Sequence, residues 1–376
     1  MLLSEDHQAV QDAVRQFVQA EITPHAAAWD KSGQFPAAQL GGLAALGCYG
    51  VAVPTEYGGA GLDYLALALM LEEIAAGDGA TSTIVSVNNC PVCSILMAFG
   101  NEEQKQRFLK PLARGDMLGA FCLTEPHVGS EAGGLKTSAV LDGDDYVLNG
   151  VKQFITSGKN GDVAIVMAVT EKAAGKRGIS AFLVSTTTPG YTVARVEDKM
   201  GQHASDTAQI LFDNCRVPAA NRIGDEGQGL KIALSGLEGG RIGIASQSLG
   251  MARAAFEVAL AYSKDRQAFG VPIFQHQAVQ FKLADMATQI EATRQLIWHA
   301  ACLKDAGRPC LKEAAMAKLM ASEMAEAVCS GAIQVLGGYG YLSDFPVERI
   351  YRDVRVCQIY EGTSEVQKIL IGRALA

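Results

Sequence analysis

YVLNGVKQFIT, residues 146–156, decides the fold class, because its texture is foreign to what lies on either side of it. It is rich in β-branched and aromatic residues and reads as two strands around an Asn149-Gly150 turn, a strong short-range hairpin signal. Outward from it, VAIVMAV (163–169), ISAFLV (179–184), YTVARV (191–196) and AQILFDNCRV (208–217) supply further strands. Asp142-Gly143-Asp144 and Pro189-Gly190 punctuate them as turns. About six strands are expected here, enough to close a small barrel.

Toward both ends the period changes. Val10, Val14, Phe17 and Val18 recur at helical spacing, as do Leu65, Leu69, Glu72 and Glu73. Beyond Gly229 the helical period returns, with Val279, Leu283, Met286, Ile290 and Ile297 on one face of a long helix, while QVLGGYGYLSDFP (334–346) reads as a glycine-rich loop. The order is helices, strands, helices. It predicts an α+β chain of three domains: all-α over 1–118, β over 119–225 and a helical bundle over 226–376.

Composition bounds the function. A net charge of -8 argues against nucleic-acid binding, which relies on an excess of Lys and Arg. No run of about eighteen uninterrupted apolar residues predicts membrane insertion. The start, MLLSEDHQAVQDAVRQF, reads as an amphipathic acidic helix, so a cytoplasmic location is expected, or the mitochondrial matrix for a processed form. Nine scattered cysteines suit a reduced protein. Cys90 and Cys93 form a lone C-x-x-C and the six histidines are dispersed, so no metal site is expected.

Three segments carry candidate chemistry. In IYEGTSEVQ (359–367), Glu361 lies between apolar Ile359 and Tyr360 and the small residues Gly362, Thr363 and Ser364. Desolvation there would raise its pKa and make it a useful base, whereas the blander reading is a cap on the following helix. FCLTEPHVGSEAGGLKTSA (121–139) offers hydroxyls and unhindered N–H groups to a flat, polar-edged ligand. Neither a G-x-G-x-x-G after a strand nor a P-loop occurs, so any nucleotide binds otherwise. In DRQAFG (265–270), Arg266 suits a pyrophosphate and Phe269 suits stacking on a base.

The ordered set FCLTEPHVGSEAGG, FITSG, DRQAFG, QVLGGYGY and IYEGTSEVQ, spread over residues 121–367, resembles the acyl-CoA dehydrogenase family. GRIGIAS, KLADMA and IYEGTSE bring it nearest to the short-chain (butyryl-CoA) and short branched-chain (isobutyryl-CoA) members. The resemblance implies an N-terminal helical domain, a middle β-barrel-like domain and a C-terminal four-helix bundle, with FAD held between subunits of a homotetramer. It implies flavin contacts at Leu123, Thr124 and Ser130, and places Phe154, Ile155 and Thr156 beside the flavin ring. Phe154 stands where the family often has Trp. Arg266, His276, Gln277, Gln334, Gly337 and Gly338 match dinucleotide contacts, and Thr363, Ser364 and Glu365 match the AMP end. For the acyl-CoA it points to Ser130, Ser205, the segment from Glu238 to Arg241, and Gly362.

Glu361 matches the catalytic base. Isovaleryl-type and long-chain members place their base immediately before the arginine that matches Arg241, where this chain has Gly240. The implied reaction is α,β-dehydrogenation of a short acyl-CoA to the trans-2-enoyl-CoA, with hydride passing to flavin and electrons to an electron-transfer flavoprotein. The thioester carbonyl would be held by the Glu361 N–H and a ribityl hydroxyl of FAD. Isobutyryl-CoA and 2-methylbutyryl-CoA remain open as substrates. An oxygen-using relative and a non-catalytic flavin-binding scaffold are the remaining alternatives.

Overall fold

The structure, a computed structural model, describes residues 2–376. Eight helices come first: α1 (Glu5–Phe17), α2 (Ala26–Ser32), α3 (Ala37–Ala45), α4 (Tyr64–Gly77), α5 (Gly79–Val87), α6 (Ser94–Phe99), the single turn α7 (Glu102–Gln104) and α8 (Lys110–Arg114). α4 is buried along nearly its whole length, including Glu72 and Glu73. Buried carboxylates need partners. Glu72 pairs with Arg253 at 3.0 Å and Arg294 at 2.9 Å, and Glu73 with Arg15 at 2.9 Å and Arg253 at 2.7 Å, tying the N-terminal helices to the C-terminal bundle. Gly79–Phe99 is long and apolar enough to cross a membrane, but most of it is buried inside the protein.

The strands follow: β1 (Gly119–Cys122), β2 (Ser138–Asp142), β3 (Asp145–Thr156), β4 (Val163–Val169), β5 (Ile179–Ser185), β6 (Tyr191–Val196), β7 (Thr207–Pro218) and the short β8 (Arg222–Ile223). They form an eight-stranded sheet in the order β6-β7-β3-β2-β4-β5-β8, with β1 parallel to β4. That order leaves β6 and β8 as ends of the hydrogen-bonded path. β4 shows why its sequence is apolar throughout. Ala164, Val166 and Ala168 face a core enclosed by the strands, while Val163, Ile165 and Met167 face helical residues such as Val92, Ile95 and Ile232.

YVLNGVKQFIT is one strand, not the expected hairpin. The turn lies earlier, where Asp142 pairs with Asp145 across Gly143-Asp144. β3 is hydrogen-bonded to β2 on one side and β7 on the other, so folding it back at Asn149 would forfeit both ladders. Asn149 instead faces a bulge in β7, where Asp213 and Asn214, the latter at φ +48°, stand opposite this one residue. Gly150 has φ +150° and packs on Thr137 closely enough that a Cβ would overlap it, and Asn149 Oδ1 accepts the Asn214 N–H at 2.8 Å.

The bundle is α9 (Gly229–Asp265), α10 (Gln277–Asp305), α11 (Leu311–Leu336), α12 (Pro346–Val354) and α13 (Ser364–Leu375), with the small hairpin β9 (Gln267–Ala268) and β10 (Val271–Pro272) between α9 and α10. Leu283, Met286, Ile290 and Ile297 of α10 are buried in its core, as their spacing predicts. The loop expected over 334–346 starts later: Gln334 closes the last turn of α11, and a 3-10 turn spans Gly337–Tyr341. Helical hydrogen bonding continues until Gly337, at φ +63°, ends it.

Candidate active site

Glu361 lies in the turn between Gln358 and α13 at φ +51°, followed by Gly362 at φ +93°. A non-glycine residue in the left-handed region is held there by its surroundings. The Gly362 carbonyl accepts Lys318 Nζ at 2.7 Å and Gln367 Nε2 at 2.8 Å. Gln367 Nε2 also reaches the Glu361 carbonyl at 3.3 Å. Thr363 caps α13 through its side chain, and Ser364 Oγ donates to Glu323 at 2.5 Å. The cap on this helix is therefore Thr363, which leaves the Glu361 side chain for other work.

The carboxylate projects against α9. Its Oε2 is out of solvent and has no hydrogen-bond partner among the described residues. Burial pushes its pKa up to about 7, against the opposing pull of Arg241 and Lys318. Arg241 is itself buried, with Nε and Nη1 unpartnered. Glu238, one turn earlier, is held by Lys304 at 3.1 Å and by the Cys310 thiol at 3.5 Å. Among the described residues no group accepts a hydrogen bond from the Glu361 N–H.

Behind the turn, a buried polar chain crosses the molecule. Tyr360 donates its hydroxyl to Gln247 at 2.7 Å, Gln247 donates to Thr83, Thr83 donates to Gln202 at 2.7 Å, and Gln202 reaches the Asp353 carbonyl at 3.0 Å. Asp353, paired with Arg349 at 3.3 Å, is pushed up to about 7 by burial.

A second group of expected residues meets at the end of β3. The Thr124 carbonyl accepts the Gln153 N–H at 2.8 Å, joining the loop of Leu123, Thr124 and Ser130 to Phe154, Ile155 and Thr156. Lys152 is fully buried beneath that loop and donates to the Leu123 carbonyl at 3.0 Å and to Glu125 at 2.9 Å. A register irregularity after Lys152 turns Phe154 outward at φ +59°, 63% exposed. Ser130 is exposed, whereas Ile155 is buried.

A third group surrounds a hollow of about 560 Å³ lined by Arg266, Gly337, Gly338, Tyr262 and Tyr339. The Arg266 guanidinium lies over the Tyr339 ring at 5.7 Å and is paired with no carboxylate among the described residues. Phe269 is almost wholly exposed and meets the His276 ring edge-on at 5.8 Å, just before Gln277 opens α10. Gln334 lies in the last turn of α11, next to Val335 and Leu336, which line this hollow, and Glu365 is exposed on α13. Ser205 belongs elsewhere: it lines a hollow with Asp30, Lys199, His203 and Arg352, and its buried Oγ has no partner.

Lys152, Lys318, Gln367 and the chain through Gln247 escape a reading of motifs. Only Lys318 carries a signal of its own, a charge standing alone in the apolar run AAMAKLMA (314–321). All nine cysteines are unbridged, and no cluster of three metal-ligating side chains exists among the described residues.

Family models match the chain in the same three parts: acyl-CoA dehydrogenase N-terminal domain over residues 4–116, middle domain over 120–215 and C-terminal domain over 227–376. The chain belongs to the acyl-CoA dehydrogenase family. It is 49% identical to the human short-chain specific acyl-CoA dehydrogenase of mitochondria, over 98% of this chain and 90% of that one. Among solved structures, butyryl-CoA dehydrogenase from Megasphaera elsdenii is 43% identical with a TM-score of 0.97, covering 100% of this chain and 99% of that one. A chain in the structure described as the electron transferring flavoprotein of Acidaminococcus fermentans is 45% identical, TM-score 0.98, with 100% and 99% covered.

The protein is thus an FAD-dependent oxidoreductase of this family, and its own residues suit the cofactor. Phe154 presents an uncovered flat face, the loop beside it presents Thr124, and the unpaired Arg266 suits a diphosphate.

Proposed function

We propose that the protein dehydrogenates a short, straight-chain acyl-CoA such as butyryl-CoA to the trans-2-enoyl-CoA, with Glu361 removing the α-proton. The observation that carries this is the buried Glu361 carboxylate, with one oxygen unpartnered and a pKa near neutrality. A base poised there is deprotonated often enough to act and basic enough to pull. The free Glu361 N–H is available to the thioester carbonyl, where a single donor to the developing oxyanion is typically worth about 3–4 kcal/mol. FAD, when bound, accepts the hydride from the β-carbon. Arg241 and Lys318 favour the ionised carboxylate before the proton is taken.

The names of the relatives, short-chain specific and butyryl-CoA dehydrogenase, support the short substrate. The likeness to a chain from the Acidaminococcus fermentans structure supports an electron-transfer flavoprotein as acceptor. Apolar side chains left open on the bundle and its hairpin, Phe269, Phe281 and Tyr341, support assembly into a homotetramer, with the hollow at Arg266 serving a cofactor shared between subunits.

Anaerobic titration with butyryl-CoA and isobutyryl-CoA, followed by flavin absorbance, tests the reading. Bleaching by butyryl-CoA near stoichiometry supports it, and preferential bleaching by isobutyryl-CoA replaces it with the branched-chain reaction. Glu361→Gln should keep its FAD and fail to bleach.

A further inference from the structure

We infer that Lys318 is a positioning residue for the Glu361 base: it clamps the Gly362 carbonyl and so fixes the left-handed turn from which the carboxylate projects. The inference rests on the reading of Glu361 as the base. Lys318 lies on α11, is fully buried, and donates from Nζ to the Gly362 carbonyl at 2.7 Å. Burying an ammonium is costly, and an apolar side chain of similar length would fill the space without that cost. A buried ammonium at this place points to work done at the turn.

That work is needed because the carboxylate does not orient itself. Glu361 Oε2 has no partner, so the direction of the side chain comes from the backbone at φ +51° and φ +93°. Two donors hold that backbone by one oxygen, Lys318 and Gln367. Only Lys318 also brings a charge. Arg241 of α9 and the Cys90 thiol face Glu361 as well, while Cys357, Glu323 and Arg241 face Lys318. Both functions, the clamp and the field, can be separated by substitution.

The test is stopped-flow reduction of the FAD-loaded enzyme by butyryl-CoA as a function of pH, in Lys318→Met, Gln367→Leu and Glu361→Gln. Lys318→Met should lower the limiting rate per bound FAD about 10²-fold, since a misplaced reacting group costs that order, with the dissociation constant for butyryl-CoA nearly unchanged. Its acid limb should move to higher pH. Gln367→Leu should slow reduction while leaving the limb in place. Wild-type rate per FAD and an unmoved limb in Lys318→Met, with only thermal stability or FAD content reduced, would overturn the inference. If Lys318→Met does not fold, a wild-type rate in Gln367→Leu overturns the clamp. Bleaching retained in Glu361→Gln would instead sink the base reading itself, whatever Lys318 does.

Discussion

Gly240 on α9 lies so close to Glu361 that a Cβ at position 240 would overlap the Glu361 Oε2 atom. The space for the carboxylate is made by the missing side chain. A base carried at 240 and a base carried at 361 would compete for one volume, which gives a steric reason for the pairing of Gly240 with Glu361 in this chain.

Gly240→Ala should therefore displace the carboxylate without touching the cofactor. The expected loss in flavin reduction by butyryl-CoA is about 10²-fold, the order associated with a misplacement of roughly 1 Å. FAD content measured by absorbance should match the wild type. Unchanged turnover would show that Glu361 repacks freely.

Reduction should depend on a single ionisation near pH 7. A base at Glu361 would act only when deprotonated, and burial, opposed by Arg241 and Lys318, raises its pKa to about 7, so on the proposed reading the rate should rise as pH climbs through that value. Arg241→Met removes an opposing cation and should move the limb upward. A limb that stays in place would detach Arg241 from the base.

The same shift has a stability consequence of definite sign. A carboxyl whose folded pKa lies above its unfolded value of 4.5 binds its proton more tightly when folded, so folding loses stability as pH rises from 4.5 through about 7. Glu361→Gln removes that loss. It should raise the melting temperature at alkaline pH and leave it nearly unchanged at acid pH, with a gain of no more than about 3 kcal/mol, less the share that solvent at the half-open turn screens. Melting curves at two pH values decide it.

Lys152 and Glu125 form a buried pair at 2.9 Å under the loop of Leu123 and Thr124. Lys152→Met removes the buried cation and leaves Glu125 on the N–H groups of Lys136 and Thr137 with the His127 ring at 3.7 Å, a loss bounded by the about 3–5 kcal/mol that breaking a buried pair costs. The melting temperature should fall, and FAD should be lost on gel filtration because the loop is no longer held down. Retention of FAD with only a lower melting temperature would confine the pair to a structural role.

Arg266→Ala should weaken FAD retention while leaving the stability of the FAD-free protein within about 0.5 kcal/mol of the wild type, as its guanidinium lies over the Tyr339 ring at 5.7 Å and is paired with no carboxylate among the described residues. The ratio of flavin to protein absorbance after dialysis measures it.

Local patterning in the chain settles much of this protein. Helical spacing places Leu283, Met286 and Ile290 in the bundle core, and Asp142-Gly143-Asp144 makes the turn its composition predicts. The ordered motifs give the family and single out Glu361. Local rules misread Asn149-Gly150, because a hairpin signal yields when a strand has partners on both sides, β2 and β7. Long-range contact decided the rest. The near-neutral carboxylate, the room left by Gly240 and the grip of Lys318 on Gly362 join α9, α11 and the turn before α13. A pKa and a side-chain direction are set by neighbours through space, and those neighbours are far away along the chain.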